Sequence, residues 1–214
     1  ECVTKEITLH KYQTKALKSK ARFIALIAGT GGGKTFTGPV WLMHEIKQHP
    51  VENFLVVAPT YKMLTRATLP TLIECYRGTV LEGEYKPSLG KYMLPTGGVI
   101  WTGSADRPET LEGGQYAGVW LDEAGQMKLA AWIVIQARLG QKMGRCLITT
   151  TPYAINWLYH EFYKRWQRGD RDYDVVQFSS ADNPYYPVEE YERARRTLDT
   201  SLFEMRYQGL FRKM

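Results

Sequence analysis

The sequence predicts an α/β domain with a mostly parallel central sheet covered by helices on both faces. Two observations predict it. Apolar runs alternate along the chain with helical stretches, the order of a parallel sheet crossed over by helices. A glycine-rich loop, A-G-T-G-G-G-K-T at 28–35, leaves one apolar run and opens a helix, the context that makes such a loop a phosphate binder.

The elements follow in order. A helix is expected at about 11–19, then a buried strand at 23–28 (F-I-A-L-I-A) feeding the loop. A helix over 34–48 carries Pro39 past its first turn, which should remove one backbone bond and bend it slightly. Strand 54–58 (F-L-V-V-A) precedes a helix over 61–77. Residues 78–97 are rich in Gly and Pro and read as a loop or a weak hairpin. Strands 98–102 (G-V-I-W-T) and 117–121 (A-G-V-W-L) lead to a helix at 127–139. Strand 146–151 (C-L-I-T-T-T), helix 153–167 and strand 173–178 (Y-D-V-V-Q-F) complete a core over 1–180. The Pro-rich entry D-N-P-Y-Y-P-V opens a small subdomain, 181–214, with helices at 187–199 and 201–208.

Composition sets outer bounds. The 214 residues suffice for one domain with a full core, and 44% hydrophobic with 23% charged residues is ordinary for a globular chain. No window approaches ~18 consecutive apolar residues, so no membrane span is expected. The first ten residues lack the basic start and apolar stretch of a signal peptide. Cys2, Cys75 and Cys146 lie far apart with no C-x-x-C, which suggests a reducing compartment and no metal site; the four histidines show no ligand spacing. The net charge is +6. Its excess lies before residue 153, much of it in Lys5, Lys11, Lys15, Lys18, Lys20 and Arg22, either a solvated face or a contact for a polyanion.

The loop carries the chemistry. Gly29, Gly31, Gly32 and Gly33 remove the Cβ atoms that would keep the backbone from wrapping a β-phosphate. Lys34 supplies a point charge to the β/γ-phosphates, Thr35 offers a hydroxyl to Mg²⁺, and the helix that starts there aims its positive end at the anion. Ala28 stands where the usual pattern has its first Gly, and Thr30 completes the loop. Hydrolysis also needs a metal and an aligned water. V-W-L-D-E at 119–123 meets that need: Asp122 emerges at a strand end to hold Mg²⁺ through water, and Glu123 is placed to polarise the attacking water. A Glu directly after the Asp marks motor ATPases rather than simple kinases. Thr149, Thr150 and Thr151, before Pro152, are either a sensor of the γ-phosphate or plain strand formers. Gln13 is either an adenine reader, with Tyr12 packing on the base, or a surface residue.

Together these pieces resemble the ATPase domain of the large terminase subunit, the motor that packages DNA into tailed-phage capsids. The likeness rests on Y-Q at 12–13, the loop at 28–35, A-P-T-Y at 58–61, D-R-P-E-T-L-E-G-G-Q-Y at 106–116, V-W-L-D-E-A at 119–124, T-T-T-P at 149–152 and D-N-P-Y-Y at 182–186. The resemblance implies a RecA-like ASCE P-loop NTPase. It implies adenine on Gln13, phosphates on Lys34 and Thr35, Mg²⁺ on Thr35 and Asp122, Glu123 as catalytic carboxylate, Thr149–Thr151 as the coupling motif and residues from about 181 as a linker subdomain. It further implies ATP as substrate, double-stranded DNA, the portal protein and the small terminase subunit as partners, a homo-oligomeric ring, and the host cytoplasm as the place of action.

Two positions depart from the pattern: Thr30 and Glu112 stand where many members carry Arg. Some cation must still meet transition-state charge. Arg107 is the first candidate, Arg138 and Arg145 the alternatives, and each could also be a surface arginine. The nuclease domain of a full large subunit is expected to be absent from this chain. The other readings are a nucleotide-dependent assembly module that binds capsid or adaptor proteins, and a helicase-like RecA domain.

Overall fold

The computed structural model describes residues 5–213. Each apolar run becomes a strand: β1 (Phe23–Ala28), β2 (Asn53–Ala58), β5 (Val99–Ser104), β6 (Gly118–Asp122), β7 (Arg145–Thr150) and β8 (Tyr173–Phe178). The Gly/Pro-rich stretch forms the hairpin β3 (Glu84–Lys86) and β4 (Lys91–Met93), antiparallel to each other and to β5. The Tyr92 hydroxyl accepts from the Gly83 amide at 2.6 Å and donates to the Leu81 carbonyl at 3.2 Å, which closes the hairpin on the sheet edge.

The sheet order is β3-β4-β5-β2-β6-β7-β1-β8, and every pair from β5 to β8 is parallel. One strand, β7, stands between the loop strand β1 and the acidic strand β6. Thr149 of β7 is level with Leu26 on one side and Asp122 on the other. The glycine loop and the D-E pair therefore leave the same edge of the sheet, the edge where open α/β sheets bind ligands.

Both faces are buried, as a parallel sheet requires. Ile24, Leu26 and Ala28 face one core, with Trp41 and Leu42 of α2 (Lys34–Gln48), Leu72 of α4 (Leu69–Tyr76) and Ala16 of α1 (Lys11–Lys18). Phe23, Ala25 and Ile27 face the other, with Trp132 and Ile135 of α5 (Leu129–Leu139) and Phe162. At about 25 cal/mol per Å², each fully buried Leu, Ile or Phe contributes about 1.5–3 kcal/mol, so the twin cores dominate stability.

Two expected helices are broken. The stretch 61–77 is α3 (Tyr61–Met63), a π turn at Leu64–Thr68, then α4. The wider turn brings Thr68 inward. The expected helix at 153–167 begins only at a π turn, Leu158–Tyr163, which runs into α6 (Lys164–Gln167). Before it, the Asn156 amide donates to the Gly125 carbonyl at 2.8 Å and the Trp157 indole to the Met127 carbonyl at 2.8 Å. These tertiary bonds hold the segment to the turn after β6 instead of a helix. By contrast, α2 runs unbroken through Pro39. The chain ends in α7 (Val188–Thr197) and α8 (Thr200–Arg206).

Gly38 lets α2 lie against β6: a Cβ there would stand 2.0 Å from the Trp120 indole. That indole is fixed, since its N–H donates to the Thr149 hydroxyl at 2.8 Å. Gly38→Ala is expected to cost about 1–3 kcal/mol by overpacking. That corresponds to a thermal midpoint several degrees lower by calorimetry; an unchanged midpoint would contradict this packing.

Candidate functional site

The loop is preorganised to receive an anion. Lys34 opens α2 directly after Gly33, which sits at φ 79°. The amides of Gly29, Thr30 and Gly32 donate to carbonyls within the fold. Those of Gly31, Gly33, Lys34 and Thr35 have no acceptor among the described residues. Free amides at a helix start, with the helix dipole behind them, form an anion site. The buried Lys34 ammonium donates to the Gly29 carbonyl at 2.8 Å. Burial lowers its pKa, and the charges of Glu123 and Asp122 act in the opposite direction.

Asp122 is the last residue of β6 and only 3% exposed. Its Oδ1 accepts from the hydroxyls of Thr149 at 2.9 Å and Thr35 at 3.3 Å, and its Oδ2 from Thr68 at 2.7 Å. Burial pushes its pKa up to about 6, with Glu123 adding to the rise; the Thr68 and Thr149 hydrogen bonds and the Lys34 charge oppose it.

Glu123 follows in the left-handed region, at φ 51°. That conformation costs a non-glycine residue about 1–3 kcal/mol and collects at functional sites. Its amide donates to the Thr149 carbonyl at 2.6 Å. The Tyr153 hydroxyl donates to its carboxylate at 3.1 Å and accepts from the Gln126 amide at 2.7 Å, which orients the acid. Burial and the Glu123 charge raise the Tyr153 pKa to about 12, so it stays a donor.

The C-terminal segment grips the loop from outside. The Ser180 hydroxyl donates to the Thr30 carbonyl at 2.6 Å, and the Asn183 amide to the Gly31 carbonyl at 2.7 Å. The Thr30 amide donates to the Arg206 carbonyl at 2.7 Å. A Cβ on Gly29 would meet the Tyr207 carbonyl at 2.2 Å, and one on Gly31 the Tyr186 ring at 2.4 Å. These two glycines thus make room for protein, a use beyond the phosphate wrapping read from the sequence.

The result is a cleft of about 330 Å³ lined by residues 30–36, Glu123, Thr151, Tyr153 and Arg206. No cluster of three acidic, His or Cys side chains able to hold a metal occurs among the described residues. Mg²⁺ fits the site in another way, because it is commonly held by one or two carboxylates together with substrate phosphates. The Thr35 hydroxyl and the Asp122 carboxylate, 3.3 Å apart, would be the donors for that mode.

A family profile described as "Terminase large subunit, T4likevirus-type, N-terminal" matches residues 25–212. The chain belongs to this family. The terminase large subunit of Thermus phage G20c is 39% identical over 67 residues, 31% of this chain and 14% of that protein. Among solved structures, the large terminase ATPase domain of Thermus phage P74-26 gives a TM-score of 0.80 at 21% identity, covering 96% of this chain and 94% of that one. The large terminase of the thermophilic bacteriophage D6E, in complex with ADP, gives 0.84 at 17% identity, covering 95% and 54%. This terminase chain therefore spans about half the length of the D6E protein. The likeness shows a RecA-like fold, as the resemblance implied.

The remaining candidates of this terminase chain lie in varied places. Gln13 is buried: its amide donates to the Gly33 carbonyl at 2.9 Å and its Oε1 accepts from the His10 amide at 3.0 Å, so one end braces the loop and the other caps the start of α1. Tyr12 stacks on Phe178, with ring centroids 4.9 Å apart. Ala28 is buried at the end of β1. Thr150 accepts from the Gly125 amide at 2.9 Å and ties β7 to the turn after Glu123. Arg107 is exposed and lines a separate cleft with Tyr61 and Ser104. Arg138 donates to the Glu112 carbonyl, and Arg145 is held by Glu45 and the carbonyls of Ser19 and Ala21.

Thr68, Tyr153 and Arg206 escaped sequence reasoning. Only Tyr153 left a local signal, its place just past T-T-T-P. Thr68→Val is expected to destabilise the fold by about 1–3 kcal/mol in chemical denaturation, because it strips a donor from a buried carboxylate. Thr68→Ser, which keeps the hydroxyl, should recover most of that loss.

Proposed function

We propose that this chain hydrolyses ATP and that hydrolysis drives translocation of double-stranded viral DNA into a procapsid. The observation that carries this reading is the convergence of the amide cradle, Lys34 and Glu123 on one cleft, with Asp122 in the adjoining cleft and bonded to Thr35, which lines both. The ADP complex of the D6E large terminase supports an adenine nucleotide.

In this mechanism the loop amides and Lys34 bind the β- and γ-phosphates. Glu123, oriented by Tyr153, accepts a hydrogen bond from the attacking water and aligns it on the γ-phosphorus; the water oxygen bonds to phosphorus as the bond to the bridging oxygen breaks, leaving ADP and inorganic phosphate, and the water's proton passes by way of Glu123 to the phosphate product or solvent. Thr35 and Asp122 would hold Mg²⁺, which would neutralise phosphate charge. Thr151 faces the phosphates while Thr149 ties β7 to both acids and Thr150 ties it to the Gly125 amide, a route from γ-phosphate to the rest of the fold. Gln13 supports the loop from behind and would reach adenine only by releasing the Gly33 carbonyl. Arg107, exposed at the carboxyl edge of the sheet, is available to a neighbour's nucleotide in a homo-oligomeric ring on the portal protein. Residues from 181 onward act as the linker. The small terminase subunit and the host cytoplasm complete this setting; no helix among the described residues is long and apolar enough to cross a membrane.

The early basic cluster divides by role. Lys5 caps the end of α4 through the carbonyls of Glu74, Cys75 and Arg77, and Arg22 donates to those of Leu139 and Gly144. Lys11, Lys15 and Lys18 remain exposed at i, i+4 and i+7 on one face of α1. That stripe suits DNA phosphates, which a sequence-blind motor must grip.

Glu123→Gln is expected to bind ATP yet lose about 10²–10⁴-fold in turnover; near-parental hydrolysis would remove its assigned role. Lys34→Ala should weaken nucleotide binding at least roughly tenfold by calorimetry, the scale of one charged hydrogen bond. Duplex binding should fall steeply with salt, and replacing Lys11, Lys15 and Lys18 by Gln should flatten the slope. A parental response already flat in salt would favour the assembly-module reading.

A further inference from the structure

We propose that Arg206 is a phosphate-contacting residue of the cleft, contributed in cis by the C-terminal segment, and that it recognises the terminal phosphate of a nucleoside triphosphate. The proposal rests on the ATP-site reading above.

The cleft contains two cationic side chains, Lys34 and Arg206. Lys34 lies on the loop side. The Arg206 guanidinium lies across the cleft, 4.6 Å from the centroid of the Tyr153 ring, and Tyr153 is the residue that orients Glu123. Arg206 is thus on the side of the carboxylate where a terminal phosphate and its water would meet. No acidic side chain pairs with it among the described residues. The other arginines with a claim to the role are engaged or distant: Arg138 and Arg145 on carbonyls, Arg107 in another cleft.

The chemistry suits a triphosphate. A planar guanidinium pairs with phosphate oxygens in two parallel hydrogen bonds. A half-exposed stacking contact on tyrosine is weaker than that, so a phosphate can draw the group off the ring. The backbone is already registered, because the Arg206 carbonyl accepts from the Thr30 amide at 2.7 Å. Movement of the guanidinium would be felt by α8, whose Phe203 packs on Tyr191 of α7 with ring centroids 5.2 Å apart. Arg206 would therefore report the terminal phosphate to both C-terminal helices.

The test is calorimetric titration of the 214-residue chain with ADP and with a non-hydrolysable ATP analogue. Arg206→Ala, and Arg206→Gln, which keeps part of the stem over Tyr153, should each weaken the analogue roughly tenfold to a hundredfold and ADP by less than about threefold. Hydrogen exchange supplies a second readout: the analogue should slow exchange in α8 of the parent and not of either variant. Loss that is equal for the two nucleotides, or no loss, overturns the proposal. Lys34→Ala, measured alongside, separates the two readings. If it binds both nucleotides as the parent does, the ATP site itself is wrong. If it loses both while the Arg206 variants show no selectivity, only the Arg206 assignment fails.

Discussion

A buried carboxylate must have its oxygens filled, and the architecture of this site follows from how Asp122 is satisfied. Three threonine hydroxyls reach it from three elements: Thr35 from the start of α2, Thr68 from the π turn before α4, and Thr149 from β7. Each hydrogen bond to a charged group is worth about 1.5–3 kcal/mol, and each lost partner would expose the full cost of burial. The carboxylate thus pins the phosphate-loop helix, a strand and a helical turn to one point. The pinning extends further, since Thr149 also accepts from the Trp120 indole, against which Gly38 of α2 packs. The price of holding a charge there is visible in its pKa, pushed up to about 6 chiefly by burial.

Around that point the site mixes rigid and strained parts. Asp122 and Thr149 sit on adjacent parallel strands, at the same level, where neither can move without breaking the ladder. Glu123, one residue on, leaves the strand in a left-handed conformation. The reversal releases its carboxylate from the pleat and lets Tyr153 take hold of it. Asp122 and Glu123 are adjacent in sequence yet held by different means.

The glycine loop is shaped by two neighbours at once. Its inner side keeps amides for an anion, while its outer side is bonded to Ser180, Asn183 and Arg206. Such a loop cannot change shape without disturbing the C-terminal helices. A physical link between phosphate cradle and C-terminal segment is therefore part of the ground-state fold.

Much of this was legible in residue order. The six apolar strands, the loop with Lys34 and Thr35, and the D-E pair are local patterns whose meaning depends on near neighbours in sequence, and the sequence by itself determined them. Other features needed the fold. The π turn that turns Thr68 inward has no signature, because its register is chosen by the buried acid it serves. The segment at 153–157 left the helical pattern because side-chain bonds to the turn after β6 outweighed local propensity. Gln13 looked like a free amide and proved to be a brace, since its partner at Gly33 is 20 residues away. Arg206 came to the cleft only because the chain folds back on its own loop. Tertiary structure decided these cases because burial and hydrogen bonding act between residues close in space, and order along the chain does not encode that distance.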